Sequence, residues 1–183
     1  MSKRFVFAAG LLFVISALLS MNAIGKAKAP LWIEAAKRQP ADLTADLKTL
    51  DGQPFSLSEF HSKTLLVNYW ATWCKPCKEE LPSIGELYKN VHGQGLEIVA
   101  VTSEKPAVVR EYLKGKNLPF TFVLDPKDTI GKRFKLTIVP STLVIDDTGK
   151  LALRYSGQFD WNDVDFVKEL KSILTSTKSA AIQ

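Results

Sequence analysis

Apolar positions along the chain fall into distinct rhythms, and each rhythm predicts an element. Residues 5–19 are almost wholly apolar, and that character continues weakly to Ile24. A compact pattern begins near Leu43. Residues 47–50 and 54–57, separated by Asp51-Gly52, predict a β-hairpin, because Asp-Gly supplies the turn conformation. Residues 58–60 read as a short turn or cap. Residues 65–70 are apolar without clean alternation, as a central strand buried on both faces requires. Over 75–92, Cys77, Leu81, Ile84, Tyr88 and Val91 step by four, three, four and three, which puts them on one helix face. Gly93 and Gly95 end that helix.

The second half repeats the alternation. Residues 96–101 predict a buried strand. Residues 106–116 predict a helix with Val108, Val109, Tyr112 and Leu113 inward and Pro106 in its first turn. A short strand at 120–124 and a short helix at 129–135 follow. Strands at 142–146 and 151–155 are joined through Asp147-Thr148-Gly149. Residues 161–174 predict a closing helix whose inward face carries Val164, Val167, Leu170, the Lys171 stem and Leu174. The polar tail, 175–183, reads as frayed. This order predicts an α/β domain over 43–174, with a mixed central sheet and helices on both faces.

Composition narrows the function classes. The chain is 46% hydrophobic and 23% charged, as globular domains are. Its formal charge of +5 is misleading, because Lys3, Arg4, Lys26 and Lys28 lie before Pro30 with no acidic residue among them. Removing these four leaves 20 basic against 19 acidic residues, a near-neutral body without a basic stripe. That argues against a nucleic-acid partner.

Lys3 and Arg4 followed by the apolar run read as a targeting segment at 1–25, either a cleaved signal peptide or a retained membrane anchor. Ala27-Lys28-Ala29 is the tidy cleavage site, but Pro30 follows it. Basic residues before the run favour an inside N-terminus. No cysteine follows the run to carry a lipid. Both readings put the body outside the cytoplasm, in the periplasm or on the outer face of the cytoplasmic membrane, with membrane attachment through 5–24 in the second. Residues 26–42 read as a juxtamembrane linker. Trp32 and Ile33 within it suit a membrane interface or packing on the domain.

The chemistry resides in Cys74-Lys75-Pro76-Cys77, which holds the only two cysteines of the chain. A thiolate, not a thiol, attacks a disulfide. A helix N-terminus favours the anion through its aligned dipoles and unpaired N–H groups. Cys74 falls at the helix start and reads as the attacking residue. Cys77, one turn deeper and inward, reads as the resolving one. Lys75 adds a nearby positive charge, and Pro76 fixes the first turn. Zinc would need four ligands, and His61 and His92 stand alone. His92 itself reads as a solvated helix-end residue. A purely structural role is weak, because so short a loop constrains the unfolded chain little.

Residues 65–82, with Trp73-Cys74-Lys75-Pro76-Cys77 and the later Glu80-Leu81-Pro82, resemble the active-site stretch of the thioredoxin superfamily. More narrowly, they resemble its TlpA/ResA-like extracytoplasmic thiol–disulfide oxidoreductases, as do residues 137–142 and 143–150. The resemblance covers about 43–174. It implies a thioredoxin-like fold with an N-terminal β-hairpin and a helix–strand insertion. It implies a redox-active Cys74–Cys77 disulfide with no other cofactor. It also implies a cis Pro140 beside the pair, where a substrate pairs with the backbone of Val139; Pro140 alone reads equally as a strand-start proline. Glu80, three residues after Cys77, matches a glutamate thought to tune or relay protons. Asn68 stands where cytoplasmic thioredoxins carry a buried aspartate, which weakens a relay at that position. Trp70 and Trp73 read mainly as packing, with Trp73 flanking and shielding the sulfurs and available for partner contact. Pro82 predicts a kink in its helix.

The function so implied is reduction of protein disulfides, with electrons from a membrane thiol donor and apocytochrome c among the substrates. A disulfide oxidase or isomerase remains the alternative. A peroxidase would need threonine or serine three residues before its cysteine and proline four further upstream; Ala71 and Val67 stand there. A metal-delivery or adaptor module would want a wider cysteine spacing and a nearby histidine.

Overall fold

The structure, a computed structural model, describes residues 29–91 and 93–180. The 1–25 targeting segment and His92 lie outside the described residues. Among those described, no helix is long and apolar enough to cross a membrane.

Seven strands of the described residues form one sheet: β1 (Leu47–Thr49), β2 (Pro54–Phe55), β3 (Thr64–Tyr69), β4 (Leu96–Thr102), β5 (Thr121–Leu124), β6 (Ser141–Ile145) and β7 (Leu151–Ser156). Among the described residues, four α-helices accompany them: α1 (Lys75–Val91), α2 (Pro106–Leu113), α3 (Thr129–Arg133) and α4 (Val164–Ala180). The spatial order is β2-β1-β5-β4-β3-β6-β7. β3, β4 and β5 run parallel, while the β1–β2 hairpin and the β6–β7 hairpin flank them antiparallel. The expected mixed sheet is present. Its insertion is α2 with β5, between β4 and α3.

The uninterrupted apolar character of β3 has a simple cause. Successive side chains point to opposite faces, and both faces are covered. Leu66 joins a core with α1 and α4, through Leu81, Ile84, Leu87, Phe166 and Leu170. Leu65, Val67 and Tyr69 join a second core with Leu47, Leu57 and Ile130 of α3. Asn68 shares the parity of Leu66, so it faces α1.

Several boundaries differ from expectation. α2 stops at Leu113 because Gly115 takes a left-handed conformation (φ 74°). Val108 is exposed on it and Val109 alone is fully buried. α3 stops at Arg133, where Lys135 turns left-handed and Leu136 N–H returns to Gly131 C=O. α4 begins at Val164, not 161, because Asp163 Oδ1 accepts the N–H groups of Asp165 and Phe166 as a cap. Val164 is therefore exposed, and the buried face is Phe166, Leu170 and Leu174. Without glycine or proline to stop it, α4 also runs through 175–180, where the polar composition predicts fraying.

Residues 32–41 line the outer edge of β7. Ile33 N–H donates to Ala152 C=O, Leu151 N–H to Gln39 C=O, and Ala41 N–H to Gly149 C=O. Trp32 stacks on Phe166 with ring centroids 5.5 Å apart. Arg38 reaches the buried Asp146 carboxylate at 3.0 Å. This part of the chain packs on the domain and covers an otherwise open sheet edge.

Candidate active site

β3 delivers the chain to the cysteines. A turn over 71–74 is closed by Cys74 N–H donating to Ala71 C=O at 3.2 Å. α1 starts at the next residue, so Cys74 occupies its N-cap. Its sulfur accepts the Cys77 N–H at 3.1 Å, as a serine or aspartate oxygen does at other helix starts. Cys74 and Cys77 form a disulfide, with 5.3 Å between Cα atoms. Cys77 is fully buried, and Cys74 is 4% exposed. In the dithiol form the same N–H is available to a Cys74 thiolate.

Lys75 is largely exposed and pairs with Glu79 at 3.2 Å along the helix surface. Pro76 is exposed in the first turn. Trp73 is 73% exposed at the tip of the turn. Its exposure leaves the ring open to a partner. Trp70, in contrast, is buried against Tyr112 and Phe122.

Glu80 lies one turn beyond Cys77 and is only 1% exposed. Three donors surround its carboxylate: Asn68 Nδ2 at 2.7 Å on Oε1, with Phe159 N–H and Trp161 Nε1–H each at 3.2 Å on Oε2. Asn68 Nδ2 also donates to Thr142 Oγ1 at 3.0 Å. Burial pushes the Glu80 carboxyl up to about 7, although the bonds from Asn68, Trp161 and Phe159 pull the other way. The group therefore changes charge near neutral pH. It also lines a crevice of about 660 Å³ with Glu79, Pro82, Ser83, Gln158, Phe159 and Asp160.

The Val139–Pro140 peptide bond is cis. Pro140 is buried, and Gly157 N–H donates to its carbonyl at 2.9 Å. β6 begins immediately afterwards, with Ser141 opposite Tyr69 of β3. This register brings Pro140 to the sheet end where the 71–74 turn starts. Val139 is half-buried, with Ile138 exposed before it.

Sequence reasoning missed Trp161 and Phe159 as partners of Glu80, and Thr142 as a partner of Asn68. For Trp161 a signal existed. Asp163 is an N-cap residue type, and reading it so makes 161 a turn position, where an indole N–H needs a partner.

Residues 38–154 match the AhpC/TSA family. The chain belongs to that family. Within it, the chain is 33% identical over 119 residues to the thiol-disulfide oxidoreductase ResA of Geobacillus thermodenitrificans, covering 64% of this chain and 68% of the relative. It is 29% identical over 123 residues to sporulation thiol-disulfide oxidoreductase A of Bacillus subtilis, covering 64% and 74%. The crystal structure of StoA from Bacillus subtilis superposes with a TM-score of 0.57 at 24% identity, over 72% of this chain and 98% of that one. These thioredoxin-like relatives settle the reaction class: this AhpC/TSA member is a thiol–disulfide oxidoreductase of ResA type, with Cys74 and Cys77 as its pair.

Proposed function

We propose that the chain reduces protein disulfides outside the cytoplasm, with Cys74 attacking and Cys77 resolving. The observation that carries the direction is the weak support given to a Cys74 thiolate. Its stabilisers are the helix start and the Cys77 N–H, while the largely exposed Lys75 pairs with Glu79. An oxidant stabilises its thiolate strongly; a reductant does so less.

The exchange runs in two displacements. The Cys74 thiolate attacks one sulfur of the substrate disulfide, forming a mixed disulfide and expelling a substrate thiolate. Cys77 then loses its proton and attacks the Cys74 sulfur, closing the Cys74–Cys77 disulfide and expelling the second substrate thiolate. Two electrons pass to the substrate, and its two thiolates take up protons from the solvent. Glu80 accepts the Cys77 proton in this reading and passes it on through the crevice it lines. Asn68 steadies Glu80, and the half-buried Val139 before Pro140 offers its backbone to an extended substrate beside Trp73.

Regeneration needs an external dithiol, which we assign to a membrane thiol donor. The basic N-terminus and the apolar run over 5–24 support a location outside the cytoplasm, with or without retained attachment. We assign haem-attachment cysteines of apocytochrome c to the substrate class, as the motif resemblance over 65–82 and 137–150 implies. Equilibration with defined dithiol buffers tests the direction. A potential near the thioredoxin value of about −270 mV is expected, and one near the DsbA value of about −120 mV would contradict reduction.

A further inference from the structure

Glu104, on the loop after β4, reaches the residue two places before Cys74. Its Oε2 accepts the Thr72 backbone N–H at 2.6 Å, and its Oε1 accepts the Thr72 hydroxyl at 2.7 Å. Thr102 braces the carboxylate from behind: its Oγ1 accepts the Glu104 N–H at 3.3 Å and lies 3.5 Å from Oε2. Hydrogen bonds to a charged carboxylate are among the stronger ones. Thr72 is the second residue of the 71–74 turn, which ends on Cys74 at the N-cap of α1. One carboxylate thus grips, by main chain and side chain together, the turn that sets where the Cys74 sulfur lies.

We propose that Glu104 is a positioning residue that acts through Thr72 to hold the Cys74 sulfur on the Cys77 N–H. This rests on Cys74 as the attacking sulfur and not on the direction of electron flow. Without the anchor, the sulfur leaves that N–H and its thiolate loses stabilisation. A mere charge effect has the opposite sign, because removing a nearby negative charge favours a thiolate.

The test is the rate of iodoacetamide alkylation of the reduced full-length chain across pH, with the first labelled cysteine located by mass spectrometry. Glu104→Ala removes charge and anchor together. It is expected to slow alkylation at pH 7 by about tenfold and to raise the apparent Cys74 pKa by about one unit. Glu104→Gln removes the charge but keeps an acceptor for Thr72, so it falls between Ala and the parent. Thr72→Val slows the parent but adds little to Glu104→Ala. Equal effects of Ala and Gln, or a lowered pKa, would overturn the proposal. If Glu104→Ala does not fold, Thr72→Val and Glu104→Gln carry the test, and fully additive effects overturn it. First label on Cys77 in the parent would instead overturn the choice of attacker.

Discussion

Asn68 donates through Nδ2 to Glu80 Oε1 at 2.7 Å, while its own buried Oδ1 has no partner among the described residues. An unpaired buried acceptor costs about 1–3 kcal/mol. Asn68 Nδ2 also donates to Thr142 Oγ1 at 3.0 Å, so both of its amide hydrogens are used on the side that faces Glu80. The observed pose therefore favours the charged form of Glu80, against the burial that raises its pKa.

Glu80 should make the protein less stable as pH rises from about 4.5 to about 7. Its folded value, about 7, lies above its ordinary 4.5. Between those values the unfolded chain releases the proton and the folded chain keeps it, so stability falls as pH rises and then levels off above about 7. The full penalty is roughly 3 kcal/mol. Glu80→Gln should remove this slope, and Asn68 Oδ1 is free to accept from the new amide. Urea unfolding at pH 5 and pH 8 checks it; an unchanged slope in the variant would dissociate it from Glu80.

Asn68→Leu should hold Glu80 protonated to higher pH. The substitution deletes the donor on Oε1 and adds apolar surroundings, and both disfavour the carboxylate. The inflection in the pH profile of disulfide exchange, expected near pH 7 in the parent, should move up by about one unit. A profile that stays in place would separate Asn68 from the proton chemistry.

The cysteine spacing, the helix face of α1 and the turn residues of both hairpins are local signals, and the chain displays them. The i, i+3 step from Cys77 to Glu80 and the parity of Asn68 with Leu66 were equally legible, since each follows from one element's period. What escaped is contact between elements. Trp161 meets Glu80 across a sequence separation of 81, and Glu104 meets Thr72 across 32. No periodicity encodes such pairs. The exposure of Trp73 depends on the direction of a four-residue turn, which apolar patterning does not specify.

Arg38→Ala should destabilise the domain and loosen the 32–41 segment. Arg38 Nε donates to Ile33 C=O, and its guanidinium meets Asp146, with both side chains mostly buried. Losing one partner of such a pair costs roughly 3 kcal/mol. Burial works against the Asp146 carboxylate, but bonds from Thr148, Lys150 and Arg38 hold its pKa below 3.8. Its contribution is therefore present above that pH and fades in stronger acid as the pH falls through the lowered value. Thermal unfolding at pH 7 and pH 2.5 should show a larger gap between parent and variant at pH 7. An equal gap at both would refute the pairing.

The central claim is that Cys74 attacks and Cys77 resolves. Trapping measures it directly: Cys77→Ala and Cys74→Ala chains are incubated with a disulfide-bonded protein substrate, quenched in acid and resolved without reductant. Cys77→Ala should accumulate a mixed disulfide through Cys74, and Cys74→Ala, its remaining sulfur fully buried, should accumulate almost none. Equal trapping by the two variants, or more by Cys74→Ala, would contradict the assignment.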